Sequence, residues 1–164
     1  MYVQDYDENI PPHVPRVWNE GHTDYYWDWD RVWYMVLEPY MKNEQVHICP
    51  SDSNPTSWVG TNSYGYNAYY LGNKDWGYSQ MATTLSEIDK PAETIMAGEA
   101  QNGFYWLYLP SQKNDPTLGP RFTLDRHNDG CNYSFCDGHA KWLSKGEFPP
   151  DDSTVPKYYY AKRD

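Results

Sequence analysis

Asp125, His127 and Asp129 occupy alternate positions of the segment Asp125-Arg126-His127-Asn128-Asp129-Gly130, and a glycine follows. Spaced oxygen donors ahead of a sharp glycine turn are how a calcium loop begins to wrap a hard cation. The acidic residue that closes such a loop falls on Cys136, and Asp137 stands one place later. Asp125, His127, Asp129 and Asp137 therefore form a candidate Ca²⁺ set. The plainer arrangement is that His127 hydrogen-bonds a hairpin while Asp137 makes its turn.

Sulphur and imidazole offer a second chemistry. In a two-residue turn at Asp137-Gly138, Cys136 and His139 face each other closely enough to share a soft metal such as zinc, with His47 or Cys49 as the further ligands such a site needs. The chain has three cysteines, an odd number, so at least one is unpaired within it. Cys131 and Cys136 are placed on opposite faces of one strand, which argues against their pairing. An intrachain disulfide would join Cys49 to Cys131 or Cys136.

Catalytic patterns are thin. His127 with Asp129, or Asp52 with Ser53, could be drawn into a triad, but such neighbours in a turn ordinarily hydrogen-bond the backbone. The sequence carries no nucleophile elbow, no His-Glu-x-x-His and no phosphate loop. The expectation is a protein that is not an enzyme.

The elements that must hold these residues can be read from period and punctuation. Met1 to Ile10 runs into Pro11 and Pro12 and reads as the tail of a helix. His13 to Trp29 shows no clean period and reads as a surface loop. Val32, Val36 and Tyr40, flanked by Trp33 and Leu37, recur at helical spacing between Asp30 and Met41. Asp28 or Asp30 is placed to cap this helix, and Pro39 to fray its last turn. A short strand is predicted over Val46 to Cys49, then a turn over 50–55, then an alternating strand from Ser63 to Tyr70. Leu85 to Ile88 reads as a helical turn, Thr94 to Ala97 and Gly103 to Leu109 as strands, and Pro110 to Pro120 as a loop. The Asp137-Gly138 pair predicts a hairpin of Cys131–Cys136 with His139–Leu143. In that register Phe135 faces Ala140 and Tyr133 faces Trp142, all four on a buried face.

With 23 acidic against 13 basic residues the formal charge is -10, and no Lys/Arg cluster of the kind that neutralises phosphates is present. Nucleic acid is not an expected partner. No stretch is apolar over the length of a membrane span. Aromatic residues make up 18% of the chain, with 17 Tyr and 8 Trp, more polar-tipped contact surface than an ordinary core requires. The cluster from Trp18 to Trp33, and Trp58, Trp76 and Trp106, could stack on sugars or pack one copy against the next.

His127, nine residues, then Asp137-Gly138 inside RHNDGCNYSFCDGHAKWL resembles the prepilin-type H-x9-DG domain of bacterial pseudopilin-like proteins. MYVQDYDENIPP resembles the end of that family's long N-terminal helix, LEPYMKNEQVHICPSD its second helix and CPS turn, NSYGYN its central strand, and IDKPAETIMAGEA its proline turn and following strand. The matching segments cover more than half of the chain in the family's order. His127, Asp137 and Gly138 are its structural motif here.

The resemblance implies a relative of type IV pilins and type II secretion pseudopilins, whose hydrophobic helix anchors the subunit and whose head faces outward. The expected fold is α+β, a pilin-like head: the end of an N-terminal helix and one further helix packed on a four- to five-stranded antiparallel sheet ending in the DG hairpin. Residues 1–12 would be the helix end and its exit, 13–146 the head and 147–164 an extended tail. The hydrophobic helix would have been cut away or be a separate polypeptide, leaving membrane attachment to it alone. The implied function is a non-catalytic structural subunit of an extracellular filament or secretion pseudopilus, on the cell surface or facing the periplasm. Its partners would be copies of itself, other pilin-like subunits or a separate helical pilin chain. By the same resemblance, Ca²⁺ sits in the loops of the C-terminal sheet. The alternative is an extracellular glycan-binding or adhesive module using exposed Trp and Tyr.

Overall fold

The computed structural model describes residues 2–13, 16–18, 25–27, 32–57, 60–68, 70–71, 84–100, 123 and 125–147. In chain order the elements are helix α1 (Tyr2–Asp5), strands β1 (Arg16–Trp18) and β2 (Tyr25–Trp27), helix α2 (Trp33–Met41), and strands β3 (Thr56–Ser57), β4 (Gly60–Thr61), β5 (Tyr64–Tyr66), β6 (Ile95–Glu99), β7 (Gly130–Phe135) and β8 (Ala140–Ser144). Strands β5, β6, β7 and β8 form one antiparallel sheet in that order. The class is α+β.

α1 is a single turn. Asp7 and Glu8 take left-handed backbone conformations, and the Glu8 N–H closes back on the Val3 carbonyl at 2.7 Å. Asn9 then bridges to Thr84, ahead of Pro11 and Pro12. The segment predicted as loop over 13–29 instead holds a short ribbon, β1 against β2, with Val17 opposite Tyr26. Three-residue strands are too brief for a period to show in the sequence.

α2 starts at Val32, whose side chain makes no cap; Asp28 and Asp30 lie outside the described residues. Pro39 does not fray the last turn. Lys42 adopts φ 55° and its N–H bonds the Glu38 carbonyl at 3.2 Å, closing the end in a left-handed cap. The buried positions are Val32, Trp33 and Tyr34, whereas Tyr40 is exposed and its hydroxyl donates to Asp5. Trp33 lies on Tyr66 of β5 with ring centroids 5.5 Å apart, and the Tyr66 hydroxyl donates to the Pro11 carbonyl at 2.6 Å. Ile10, Val32, Tyr66, Leu71, Ile95, Tyr133 and Phe135 belong to one core cluster. Each large apolar side chain so buried contributes about 1.5–3 kcal/mol.

The strand predicted over Val46 to Cys49 is a 3-10 turn, Glu44–His47. The Asn43 side chain accepts from the Gln45 N–H and starts the turn, while Val46 and Ile48 stay exposed. β5 ends at Tyr66 instead of continuing to Tyr70, because Asn67 turns the chain. Its side-chain amide donates to the Ile95 carbonyl, and its backbone carbonyl accepts from Leu71. Thr84 and Glu87 form a capping box around Leu85–Glu87, as the predicted helical turn requires. The predicted strand over 103–109, the loop over 110–120 and residues 148–164 of the tail lie outside the described residues.

The C-terminal hairpin is present, with a three-residue loop instead of a two-residue one. Phe135 pairs with His139 and accepts from the Gly138 N–H at 2.9 Å; Gly138 sits at φ 95°. This is a turn followed by a glycine in positive φ, the commonest three-residue connection. The extra residue shifts the register by one, so Ser134 faces Ala140, Asn132 faces Trp142 and Cys131 faces Leu143. Ala140 and Trp142 therefore leave the face of Tyr133 and Phe135. Leu143 is buried in their stead and Trp142 is 45% exposed.

Candidate functional site

Three segments remote in sequence supply the site. Beyond α2, the chain folds through Cys49-Pro50-Ser51-Asp52, with the Asp52 N–H on the Cys49 carbonyl at 2.9 Å and Asp52 Oδ1 accepting from Asn54. Such an aspartate-anchored turn is what this composition favours. Glu99 ends β6, opposite Tyr64. Arg126 and His127 lie in the tight turn before β7, where Asn128 and Asp129 both take positive φ and the His127 N–H bonds the Gly130 carbonyl.

Ser63 is the crossing point of these segments. Its N–H donates to the His47 carbonyl, its hydroxyl oxygen accepts from the Cys49 N–H at 3.0 Å, and its carbonyl accepts from the Ala100 N–H. Arg126 Nη1 also donates to that carbonyl at 3.3 Å, and Nη2 donates to the Ala100 carbonyl at 2.6 Å. The same guanidinium lies 3.3 Å from Asp52 Oδ2 and 3.9 Å from Glu99 Oε2, with all three side chains under a tenth exposed. Two buried carboxylates thus share one buried cation, and breaking such a set exposes the cost of an unpaired interior charge.

His127 completes the cluster. Its Nε2 is 2.8 Å from Glu99 Oε1 and 3.4 Å from Cys49 Sγ. Asn132 Nδ2 donates to the same Glu99 Oε1 at 3.3 Å. Glu99 Oε2 is buried with no hydrogen-bond partner. One thiol, one carboxylate and one imidazole nitrogen lie within 4.8 Å of one another, the donor types of a zinc-class site.

The predicted calcium residues are not drawn together. Asp129 pairs with Lys145 and Asp137 with His139, the latter at 2.6 Å; His127 turns to Glu99, and Asp125 is exposed. Asp137 Oδ1 also accepts from the His139 N–H, so it makes the turn as the plainer reading required. His127 touches the hairpin through its carbonyl, which accepts from Trp142 Nε1 at 2.8 Å, while its ring points to the cluster.

The expected Cys136 and His139 pair is displaced by the register shift: His139 stacks on Phe135 with centroids 4.3 Å apart. No disulfide links Cys49 to Cys131 or Cys136. All three are free thiols, and Cys131 Sγ donates to the Thr123 carbonyl. Burial pushes the thiols of Cys131 and Cys136 up to about 12. His127 with Asp129, and Asp52 with Ser53, form no triad geometry here, since Asp129 and Asp52 are held by Lys145 and Arg126.

Glu99 and Arg126 escaped the sequence reading. The only cue to Glu99 was a carboxylate at the end of the otherwise apolar run Ile95-Met96-Ala97-Gly98. No described helix is long and apolar enough to cross a membrane. Comparisons with family models, curated proteins and solved structures return no match.

Proposed function

We propose that this chain is the globular head of a pilin-like or pseudopilin-like protein, a non-catalytic structural subunit of an extracellular filament or secretion pseudopilus. One observation carries the reading. The segments that bear the H-x9-DG resemblance are locked to one another: Cys49 and Asp52 of CPSD, Ser63 beside the NSYGYN strand, Glu99 of AGEA, and Arg126 and His127 of RHNDG all meet in the buried cluster. A hydrogen-bonded ionic core of this kind fixes a single arrangement of the head. Its charges face one another, which suits a rigid building block.

The head works outside the cell, on copies of itself, other pilin-like subunits or a separate helical pilin chain. Exposed Tyr6 and Tyr40, with Tyr2 between them in ring contact, give an aromatic contact surface next to α1. Imaging the native source with antibodies to this chain tests the reading. Regular decoration of surface filaments or a pseudopilus supports it. Antibody confined to the cell interior, or a monomer that binds polysaccharide with a shift in Trp fluorescence and never assembles, refutes it.

A further inference from the structure

The geometry points to a transition-metal site of the zinc class, formed by Cys49 Sγ, the Glu99 carboxylate and His127 Nε2. This goes beyond the structural role above and stands whether or not the head assembles. Nε2 bears at most one hydrogen, yet it faces both Glu99 Oε1 at 2.8 Å and Cys49 Sγ at 3.4 Å. A proton there serves one of the two contacts; a cation accepts a lone pair from all three groups at once.

Glu99 adds independent support. It is 0% exposed, and its Oε2 accepts no hydrogen bond and lies 3.9 Å from Arg126 Nη1. A buried carboxylate is costly unless it is fully paired or coordinates a metal, and a guanidinium shared with Asp52 leaves Glu99 charge for a further cation. For tetrahedral zinc, bond lengths near 2.0–2.3 Å place neighbouring ligand atoms about 3.4–3.6 Å apart. The Sγ to Nε2 separation of 3.4 Å already falls there, and the Nε2 to Oε1 separation of 2.8 Å would have to open by about 0.6 Å as the ion replaces the proton between them.

Sulphur and imidazole donors select a borderline or soft cation over calcium, which takes six to eight oxygens. Supporting groups hold the ligands: Ser63 Oγ fixes the Cys49 backbone, and Asn132 and Arg126 hold the Glu99 carboxylate. The His127 side chain is 28% exposed, which gives an ion a route to the otherwise buried ligands. The ion would clasp the turn after α2, the end of β6 and the turn before β7.

The test titrates the folded full-length chain with Zn²⁺ by calorimetry and with Co²⁺ by absorption, with Ca²⁺ as competitor. One equivalent should bind, Co²⁺ should give a thiolate charge-transfer band, and excess Ca²⁺ should not displace either ion. Cys49→Ser should abolish the band, and His127→Ala should weaken affinity more than about 100-fold; Asn132→Ala, which removes a hydrogen bond to the Glu99 carboxylate, should cost about 10-fold. Circular dichroism checks that each variant folds; if C49S does not, H127A carries the comparison. Absence of stoichiometric binding by the folded wild type, retention of the band in folded C49S, or displacement by Ca²⁺ overturns the site.

Discussion

Cys49 and His127 are 78 positions apart in the chain, yet the sulphur of one lies 3.4 Å from Nε2 of the other. Neither residue's local sequence encodes that contact. Ser63 holds the backbone of Cys49, and the Trp142 indole holds the carbonyl of His127, so β5 and β8 approach the pair from opposite ends of the sheet.

Arg126 is the cation on which this arrangement rests. Replacing it by Ala leaves Asp52, Glu99 and the carbonyls of Ser63 and Ala100 without their buried partner, and stability should fall by roughly 3–5 kcal/mol. Lys should rescue only part of this loss, because it lacks the planar fork that reaches several acceptors at once. Urea unfolding of the two variants measures both effects.

Acid should weaken the fold through its buried histidines. Burial lowers the pKa of His13 to about 3 and also lowers that of His47. A histidine depressed in the folded state takes up protons more readily once unfolded. Its contribution is therefore fully present above the ordinary value near 6.5 and is lost as pH falls from there toward about 3. Denaturation midpoints should drop between pH 7 and pH 4, and less steeply in His13→Gln; parallel curves would contradict this.

Two glycines should respond differently to Ala. A Cβ on Gly130 would collide with the Trp142 ring and the Leu143 carbonyl, whereas Gly138 has open space and only its positive φ to satisfy. G130A should cost about 1–3 kcal/mol through overpacking, and its indole fluorescence should shift as Trp142 is displaced. G138A should cost about 1–2 kcal/mol through backbone strain, and Gly138→Asn less.

Two of the thiols should be inert in the native chain. Thiolate is the reactive form, and burial holds Cys131 and Cys136 at about 12. Iodoacetamide at pH 8 should modify them more than about 100-fold more slowly in buffer than in urea, as read by mass spectrometry of digests. Fast native labelling of Cys131, which is 0% exposed, would contradict its placement.

The legible parts of the fold were those written in local periodicity or turn chemistry. The helical spacing around Val36 located α2, the capping pair Thr84 and Glu87 stood beside the predicted turn, and Asp137-Gly138 announced the hairpin. What escaped was decided by geometry at longer range. A one-residue difference in loop length is nearly silent in sequence, yet it moved Trp142 to the other face. Asn43 used a side-chain hydrogen bond to start a 3-10 turn where a strand was predicted, and Asn67 used one to end an extended run that looked able to continue. At the site, His127 was singled out for its position relative to Asp137-Gly138, while its ring partners Glu99 and Cys49 come from segments that only the folded sheet brings near. Alternate carboxylates at 125–129 suggested a cation loop; Lys145, from the far end of the hairpin, takes Asp129 instead.

A double-mutant cycle between Asp52→Asn and Arg126→Met asks whether the turn after α2 and the turn before β7 truly join at a buried ionic contact. Stabilities of the wild type, both single variants and the double variant should give a coupling of about 1–3 kcal/mol. Effects that add to within about 0.3 kcal/mol would mean that the two residues do not meet in the folded chain.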